Sequence, residues 1–338
     1  MGIAALMLAC AASVARGFAP SRRVAGGVLR RATNAASSLP RRAGTTLIDG
    51  LSELPLDRYD AIILDQYGVL HNGEALLDGV AAALERLHAG GARKLVVLSN
   101  TSKRRAPLIA ELPGRGFRGE WLHDAVCSGE CCWEALRDSG YASAVVLGWS
   151  DRDSSEYLAG MGVALADAAP DVVVAYGPDT IDMAGRELTD FRITGDIGPY
   201  RALLEDAVAR NAPMLCVNPD QKTIDVDGVT PLFMPGTMAD AYRAMGGEVV
   251  LYGKPGVSHF AAALRAAGVD DAGRALMVGD SLRHDVLGAA AAGLDSLFVV
   301  DSGVHANDLA EVSEQCVANL AAAEGVPVPT FVMRKFRW

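Results

Sequence analysis

The chain has 338 residues, 50% hydrophobic and 21% charged, which suffices for one large or two medium globular domains with a buried core and excludes an intrinsically disordered protein. The formal net charge is −10, and because residues 1–46 contain seven arginines and no acidic residue, the rest of the chain carries −17 by subtraction. A body this acidic argues against nucleic acid as a partner.

The first 46 residues are interpreted as a targeting presequence, not as part of the fold. Residues 3–15 form an apolar run of signal-peptide length, too short to cross a bilayer as a stable helix. Residues 18–23 (Phe-Ala-Pro-Ser-Arg-Arg) then open an acid-free segment of transit-peptide character. The tandem resembles the bipartite presequence of algae whose plastids lie inside extra membranes. It predicts a plastid protein whose mature form has no membrane segment, with a secreted or a mitochondrial protein as the alternative.

The cysteines indicate neither disulfides nor a metal site. Five remain outside the presequence, an odd number without paired spacing, which favours a reducing compartment. Cys127, Cys131 and Cys132 lack the paired spacing or the nearby histidines of a metal centre, so we interpret them as small apolar residues on a helix face.

From residue 56 onward, short β-branched runs alternate with helical patterns, which is typical of a parallel sheet covered by helices on both faces. The fold class is therefore predicted to be α/β. A helix is predicted over residues 79–88 with Asp78 as its N-cap. Residues 331–333 are interpreted as a late edge strand or a partner contact. The predicted strands of the main sheet are 61–64, 94–98, 249–252, 275–278 and 296–300.

A second domain is inserted into this pattern. About 140 residues separate the second and third of these strands, far more than an ordinary connection needs. Strands are predicted there over 144–147, 172–175 and 214–217, and helices over 130–137 and 200–209. The predicted organisation is a core of residues 47–104 and 247–338 with an α/β cap of residues 105–246.

Asp65 directly follows the apolar run 61–64 and precedes a loop containing Gly68 and Gly73. Open parallel sheets bind ligands at their strand ends, so a carboxylate at this point is well placed to attack phosphorus or to hold a cation. Three later segments carry side chains that such a carboxylate would need. They are Ser99-Asn100-Thr101 after the second strand, Gly253-Lys254-Pro255-Gly256, and the run from Gly279-Asp280 to Asp285.

In this order, the four segments resemble the motifs of the haloacid dehalogenase-like hydrolase superfamily, and they are most similar to its class IIA phosphatases. The resemblance covers about residues 56–303, and the segments 217–220 and 234–236 look like parts of the class IIA cap. It implies a Rossmann-like parallel-sheet core with an inserted α/β cap of the C2a type. Each segment alone has an ordinary structural explanation as a turn or a helix cap. Four in the required order make a coincidence a poor explanation.

The resemblance also implies roles for individual residues. Asp65 would be the nucleophile that takes the phosphoryl group, and Lys254 and Ser99 would contact its oxygens together with the amides of Asn100 and Thr101. Mg²⁺ would bridge substrate and nucleophile. Its implied ligands are a carboxylate oxygen of Asp65, the backbone carbonyl of Tyr67, and Asp280, with Asp285 orienting the cation's waters or Lys254.

Tyr67 departs from the family pattern, because most members have a second aspartate two residues after the nucleophile. That aspartate protonates the leaving alkoxide and then deprotonates the attacking water. Tyrosine, with an ordinary pKa near 10, can donate a proton but is a poor base. His71 in the same loop is a candidate substitute base, and the alternative is a histidine that only packs beneath the cap. For His284 we expect solvent exposure, and for His259 a satisfied surface or core position.

The sequence thus predicts a Mg²⁺-dependent phosphatase that acts on a small phosphate ester through Asp65. The alternative is a catalytically impaired protein of the same fold that binds a phosphorylated metabolite or regulates a partner. Dehalogenation is disfavoured by the carboxylates of the cation site. By analogy with similar proteins, a homodimer formed through the cap is a reasonable expectation.

Overall fold

The computed structural model describes residues 44–338 except residues 92, 167, 184, 226–229 and 310. Residues 1–43 of the predicted presequence lie outside the described part. Thr46, the last residue assigned to the presequence, already belongs to a strand. Among the described residues, no helix combines the length and the apolar character that crossing a membrane requires.

Short strands and helices alternate along the described chain. The strands are β1 (Thr46–Leu47), β2 (Ala61–Leu64), β3 (Lys94–Ser99), β4 (Asp124–Cys127), β5 (Ser143–Gly148), β6 (Ala164–Leu165), β7 (Val172–Ala175), β8 (Thr180–Asp182), β9 (Arg186–Leu188), β10 (Met214–Cys216), β11 (Lys222–Ile224), β12 (Pro231–Phe233), β13 (Val249–Leu251), β14 (Ala275–Gly279), β15 (Asp295–Val299) and β16 (Phe331–Met333).

The α-helices are α1 (Val80–Ala89), α2 (Arg105–Glu111), α3 (Ser128–Arg137), α4 (Ser154–Leu158), α5 (Phe191–Thr194), α6 (Gly198–Ala209), α7 (Pro235–Ala244), α8 (Val257–Ala267), α9 (Leu287–Ala292) and α10 (Glu314–Glu324). A single π-helical segment is described, Leu282–Val286. Short 3₁₀ turns are formed by Leu51–Glu53, Leu56–Arg58, Leu112–Arg115, Gly119–Trp121, Ala272–Arg274 and Gly303–His305.

The core sheet has the strand order β1-β16-β15-β14-β2-β3-β4, and these described strands all pair in parallel. Its central strands are buried on both faces, as their continuous apolar runs require. Ile62 and Leu64 pack in one apolar cluster with α1. Ala61 and Ile63 pack on the opposite face with α8. The side-chain alternation of β2 therefore joins both helix layers to the sheet.

The cap sheet has the order β13-β10-β7-β5-β8-β9, and β6 also pairs with β5. The four strands from β13 to β5 are parallel, and β8 and β9 continue the sheet antiparallel. Helices α6 and α7 pack on one face. Helices α3 and α4 pack on the other. The strands β11 and β12 form a separate antiparallel pair. The cap is therefore an α/β layer with a hydrophobic core of its own.

The structure confirms the α/β fold, but one strand prediction is wrong. Residues 249–252 were assigned to the core sheet, whereas β13 pairs with β10 of the cap sheet, with Val249 opposite Met214. Conversely β4, inside the predicted cap range 105–246, pairs with β3 of the core sheet. The chain thus changes sheets after Cys127 and again after Leu251, whereas boundaries near 105 and 246 were expected. A short apolar run does not specify which of two parallel sheets it joins.

Two smaller expectations also need correction. The helix α1 begins after Gly79, which has φ 88° and no side-chain cap, so Asp78 is not its N-cap. The strand β16 is not an edge strand, because it lies between β15 and β1. The edge is formed by β1, a two-residue strand that the sequence analysis did not predict. So short a strand has too little pattern to be recognised.

Candidate active site

Three of the predicted site residues lie at the carboxyl ends of neighbouring core strands. In the parallel register, Leu64 is opposite Val97 on one side and Val278 on the other. Asp65, Ser99 and Asp280 therefore follow one another across the end of the sheet, each within two residues of this row. The backbone N–H of Asp65 donates to the carbonyl of Val278 at 2.9 Å, which extends the ladder by one residue. Their common location follows from strand polarity.

Lys254 joins two of the carboxylates. Its Nζ lies 2.7 Å from Oδ1 of Asp65 and 2.7 Å from Oδ1 of Asp285. The lysine is almost completely buried, and Asp65 keeps 15% of its side chain exposed. Burial alone would lower the pKa of Lys254, but the carboxylates of Asp285 and Asp65 more than reverse this, so its pKa is raised. The side chain is therefore a permanent cation in contact with the candidate nucleophile.

Asp280 and Asp285 are oriented by backbone amides and by glycines that leave room for them. Val304 N–H donates to Oδ2 of Asp280 at 2.8 Å, and Ser281 N–H donates to Oδ2 of Asp285 at 3.0 Å. A Cβ on Gly303 would lie 1.7 Å from Oδ2 of Asp280, and one on Gly279 would lie 2.1 Å from Cγ of Asp285. Larger residues at these two positions would displace the carboxylates. The contribution of residues 303 and 304 was not predicted, because they lie outside the four motifs.

The carboxylates of Asp65, Asp280 and Asp285 lie close enough to bind one cation. Each offers an oxygen within 4.8 Å of the others. Burial and the charges of Asp65 and Asp285 raise the pKa of Asp280 well above its usual range. Burial also raises the pKa of Asp285, to about 6, although Lys254 acts in the opposite direction. Three carboxylates facing one ammonium lack positive charge, and a divalent cation would supply it.

The donor set fits Mg²⁺, which prefers oxygen ligands and commonly takes one or two carboxylates with several waters. The loop that contains Tyr67 lies against this set, because a Cβ on Gly68 would lie 2.7 Å from Oδ2 of Asp280. Gly68 has φ 81°, a conformation that favours glycine. This close approach is compatible with the predicted use of the Tyr67 carbonyl. Asp285 already accepts from Lys254 and Ser281, which suits a residue that orients the others.

The Tyr67 side chain is 40% exposed, in contrast to the buried carboxylates of Asp280 and Asp285. Its ring contacts the His71 ring edge to face, with 6.3 Å between centroids. Partial burial and the charges of Asp280 and Asp225 raise the pKa of the Tyr67 hydroxyl. The hydroxyl therefore stays protonated at neutral pH, in agreement with the expectation that it is a poor base.

His71 does not have the geometry of a substitute base. Its Nδ1 accepts from Gly73 N–H at 3.0 Å, and its Nε2 lies 3.4 Å from Oε1 of Gln66. The ring is buried beside Phe117, and burial and the charge of Arg115 lower its pKa to about 4. Both ring nitrogens of His71 thus contact groups of its own loop, Gly73 and Gln66, which agrees with the alternative that this histidine only packs beneath the cap.

The two other motif-neighbouring histidines differ in their surroundings. His259 is buried, which agrees with the core position, one of the two positions expected for it. Its Nε2 lies 3.3 Å from the carbonyl oxygen of Ser99, and its Nδ1 lies 3.6 Å from Sγ of Cys131. His284 was expected to be exposed but keeps only 28% of its side chain accessible. Its Nδ1 lies 3.4 Å from Oδ1 of Asp220 in the cap, so the cap covers it.

Ser99, Asn100 and Thr101 lie at the predicted place, but their side chains are used differently. Ser99 is 8% exposed, and its Oγ accepts from Thr101 N–H at 3.3 Å. Its hydroxyl hydrogen can therefore still point to a phosphate oxygen. The carboxamide of Asn100 is bonded to Lys254 and to Asp220. Sequence reasoning identified the segment of Asp220 as part of the cap but gave that residue no role.

Cys131 and Cys132 lie on helix α3, as interpreted, whereas Cys127 is the last residue of strand β4, so the helix-face interpretation is wrong for it. Cys127, Cys131, Cys132, Cys216 and Cys316 are free thiols. Burial raises the pKa of Cys131 to about 11, and Cys132 is fully enclosed in the cap core. These surroundings make the two adjacent thiols unreactive.

Two family models match this chain. A haloacid dehalogenase-like hydrolase model matches residues 62–164, which include Asp65 and Ser99. A HAD-hydrolase-like model matches residues 251–323, which include Lys254, Asp280 and Asp285. The two matched stretches thus contain the four motifs.

Relatives match over most of the chain. Chronophin of Bos taurus is 28% identical over 284 residues, covering 81% of this chain and 90% of chronophin. Glycerol-3-phosphate phosphatase of Gallus gallus is 28% identical over 287 residues, covering 82% and 89%. The structure of a haloacid dehalogenase-like hydrolase from Brucella suis 1330 has a TM-score of 0.68 and 28% identity, covering 86% of this chain and 99% of that chain.

A further solved structure is the glycerol phosphate phosphatase of Mycobacterium tuberculosis in complex with magnesium. It has a TM-score of 0.57 and 24% identity, covering 83% of this chain and 76% of that chain, a likeness that shows a shared fold. One family assignment agrees with the family models, with the relatives and with the α/β cap inserted between the second and third motifs. The chain belongs to the haloacid dehalogenase-like hydrolase superfamily, with a cap of the class IIA type.

Proposed function

We propose that this protein is a Mg²⁺-dependent phosphatase that hydrolyses a small phosphorylated metabolite through a phosphoryl-enzyme formed on Asp65. One observation carries the proposal. The buried ammonium of Lys254 lies 2.7 Å from both Asp65 and Asp285, and Asp280 shares their cluster. Such an arrangement provides a nucleophilic carboxylate, a fixed cation and oxygen ligands for Mg²⁺ at one point.

Each residue has a defined task in this reaction. An oxygen of Asp65 forms a bond to phosphorus while the bond from phosphorus to the ester oxygen breaks. Water then attacks the same phosphorus and releases inorganic phosphate and the free carboxylate. Lys254 neutralises the transferring oxygens, and the Ser99 hydroxyl and the amides of Asn100 and Thr101 hold them. Mg²⁺, held by Asp65, Asp280 and the Tyr67 carbonyl with Asp285 beside them, would reduce the repulsion between carboxylate and phosphate.

Proton transfer separates this proposal from its alternative. The raised pKa of Tyr67 allows its hydroxyl to donate a proton but not to activate water at neutral pH. An alkoxide leaving group needs that proton, whereas an aryl oxide leaves with little help. The exposed Tyr67 thus supports a second candidate, a catalytically impaired protein that binds a phosphorylated metabolite without efficient turnover.

The substrate is proposed to be a small phosphate ester. A relative named glycerol-3-phosphate phosphatase supports including glycerol 3-phosphate in the first set of compounds to be tested.

The cap also supports a homodimer, because β9 is the edge of its sheet and Leu188 and Ile193 nearby are 70% and 72% exposed. The acid-free residues 1–46 support a plastid location, which a fluorescent fusion to that segment would test.

The decisive experiment measures phosphate release from a panel of phosphorylated metabolites with Mg²⁺, using wild-type protein and Asp65→Asn together. We expect release by the wild type alone, with an aryl phosphate hydrolysed faster than an alkyl phosphate. Equal rates for the two esters would show that another residue supplies the proton. Binding without turnover of any ester would favour the impaired alternative. Equal release by wild type and Asp65→Asn would exclude Asp65 as the nucleophile.

A further inference from the structure

The carboxamide of Asn100 is fully occupied by protein groups. Its Nδ2 donates to Oδ1 of Asp220 at 2.8 Å and to the carbonyl of Lys254 at 3.2 Å. Its Oδ1 accepts from the N–H of Lys254 at 2.7 Å. The residue is buried, with 6% exposed. Both amide hydrogens and one lone pair of the oxygen are used by protein groups, so this buried side chain acts through the groups that it binds.

What it holds first is the backbone of Lys254. The carboxamide accepts a hydrogen bond from the N–H of Lys254 and donates one to the C=O of the same residue, as the backbone of a neighbouring strand would. The other end of Lys254 is fixed by Asp65 and Asp285. Asn100 thus determines where the lysine side chain starts, and the two carboxylates determine where it ends.

The second group that it holds belongs to the cap. Asp220 follows β10, and its own N–H donates to Oδ1 of Asn218 at 2.9 Å. The N–H of Gly236 at the start of α7 donates to the carbonyl of Asp220 at 3.0 Å, and a Cβ on Gly236 would lie 2.2 Å from the carbonyl of Pro219. The loop that contains Asp220, the cap loop, is therefore closely packed on the cap helix α7.

Gly253 shows how tightly the three segments meet. It has φ 127°, and a Cβ there would lie 2.6 Å from Oδ1 of Asn100 and 2.9 Å from Cδ of Pro219. A side chain at Gly253 would separate the Lys254 loop from the Asn100 carboxamide and from the cap loop, so their contact requires glycine at this position. A displacement of one segment must therefore be transmitted to the others.

We propose that Asn100 is a positioning residue that couples the seating of the cap to the placement of Lys254. When Asp220 bonds to Asn100, the carboxamide is held in the orientation that presents both of its ends to Lys254. When the cap leaves, the carboxamide loses its cap partner and the lysine loop loses its constraint. This proposal rests on the proposed phosphatase function, since it assigns a regulatory contact to the same site.

The test uses the full chain and a pair of exchanged residues. Asn100→Asp replaces both donors by acceptors and sets two carboxylates against each other. The double variant Asn100→Asp with Asp220→Asn restores an amide to carboxylate bond in the reverse direction, but not the bond to the Lys254 carbonyl. Asp220→Ala removes the bond from the cap to Asn100 together with the 3.4 Å contact to His284, so His284→Ala, which removes only the second contact, is made beside it and should match the wild type. Matched controls are Asn319→Asp and Asp206→Ala, which alter exposed residues bonded only to helix neighbours.

Hydrogen bonds to charged groups suggest effects of about 10–100-fold. We expect Asn100→Asp to lower kcat/KM for an aryl phosphate about 100-fold, and the double variant to recover about 10-fold. Asp220→Ala should lower kcat about 10-fold with less than about 3-fold change in KM, because the lysine acts mainly in the transition state. The inhibition constant of inorganic phosphate should rise in Asn100→Asp and fall again in the double variant. Both controls should match the wild type.

Other outcomes overturn the coupling. It is wrong if the double variant is no better than Asn100→Asp, or if Asp220→Ala behaves like the wild type. The second comparison also decides the matter if Asn100→Asp fails to fold. Failure of the proposed function has a different signature, in which wild type and Asp65→Asn release equally little phosphate. The coupling is then decided by the rise in Tm caused by Mg²⁺ with inorganic phosphate. That rise must be present in the wild type, lost in Asn100→Asp and partly regained in the double variant; any other pattern overturns it.

Discussion

Asp285 belongs to the carboxylate cluster and Tyr67 lies in the loop beside it, but the two side chains differ in burial and in their hydrogen bonds. Asp285 is 1% exposed and accepts from both Lys254 and Ser281, whereas Tyr67 is 40% exposed at the rim. The groups that stabilise charge are thus part of the packed core, and the position that normally transfers protons is peripheral. A substitution at the rim can therefore change the chemistry without disturbing the cation and phosphate groups beneath it.

The largest effect is expected when the buried ammonium of Lys254 is removed. Lys254→Met leaves two carboxylates without their counter-charge, and we expect a loss of about 3–5 kcal/mol in the free energy of unfolding. We also expect kcat/KM to fall by about 10²–10³-fold. Urea unfolding and steady-state kinetics measure the two effects, with the exposed Lys335→Met as the control. Activity within tenfold of the wild type would contradict a central role for Lys254.

The next test alters the rim. Tyr67→Asp places a carboxylate where most relatives of this superfamily have their proton-transfer group, and we expect turnover of an alkyl phosphate to rise by about 10²-fold. The gain for an aryl phosphate should be smaller, because its leaving group needs little protonation. Tyr67→Phe is the control, since it keeps the ring and adds no base. A drop in the Tyr67→Asp activity would reveal a positive role for the tyrosine.

A third variant disturbs the cation ligands without removing one. A Cβ on Gly303 would collide with Oδ2 of Asp280, so Gly303→Ala should weaken Mg²⁺ affinity by about 10–100-fold, as measured by titration calorimetry. Gly325→Ala is the matched control, because Gly325 also has positive φ but its Cβ would meet nothing within 4 Å. The control should share the strain and keep the affinity. Equal affinities in both variants would mean that the loop simply moves aside.

The last test concerns pH, and its expected effect is small within any single pH unit. Burial lowers the pKa of His259 to about 4, so between pH 6.5 and 4 the unfolded chain binds a proton that the folded chain excludes. The stability that neutral His259 contributes is present above pH 6.5 and is lost, by about 1.4 kcal/mol per pH unit, as the pH falls toward 4. The buried Asp280 and Asp285 have the opposite dependence, because their pKa values are raised. The informative quantity is therefore the difference between wild type and His259→Gln in unfolding free energy against pH, and a flat difference would contradict the low pKa.

The sequence predicts some of these features well, because local patterns specify them. The apolar run 61–64 and the polar residue after it identify both β2 and the position of Asp65. The two sheets are harder to separate, since β13 has the same local pattern as a core strand. The contact between Asn100 and Asp220 joins residues 120 positions apart, and no local pattern encodes it. The Val304 N–H that orients Asp280 is a backbone group, so the identity of its side chain gives no signal.

The location of β13 affects how caps can be exchanged among relatives. This strand is hydrogen-bonded to the cap sheet through Cys216 and Leu251, yet it ends three residues before Lys254. A chimera joined at residue 246 would graft a foreign cap beside a host strand whose neighbours had been removed. A junction immediately after residue 251 would keep the sheet intact and preserve the host lysine. Recombination that produces new specificities in this lineage should therefore leave its crossover points on the lysine side of that strand.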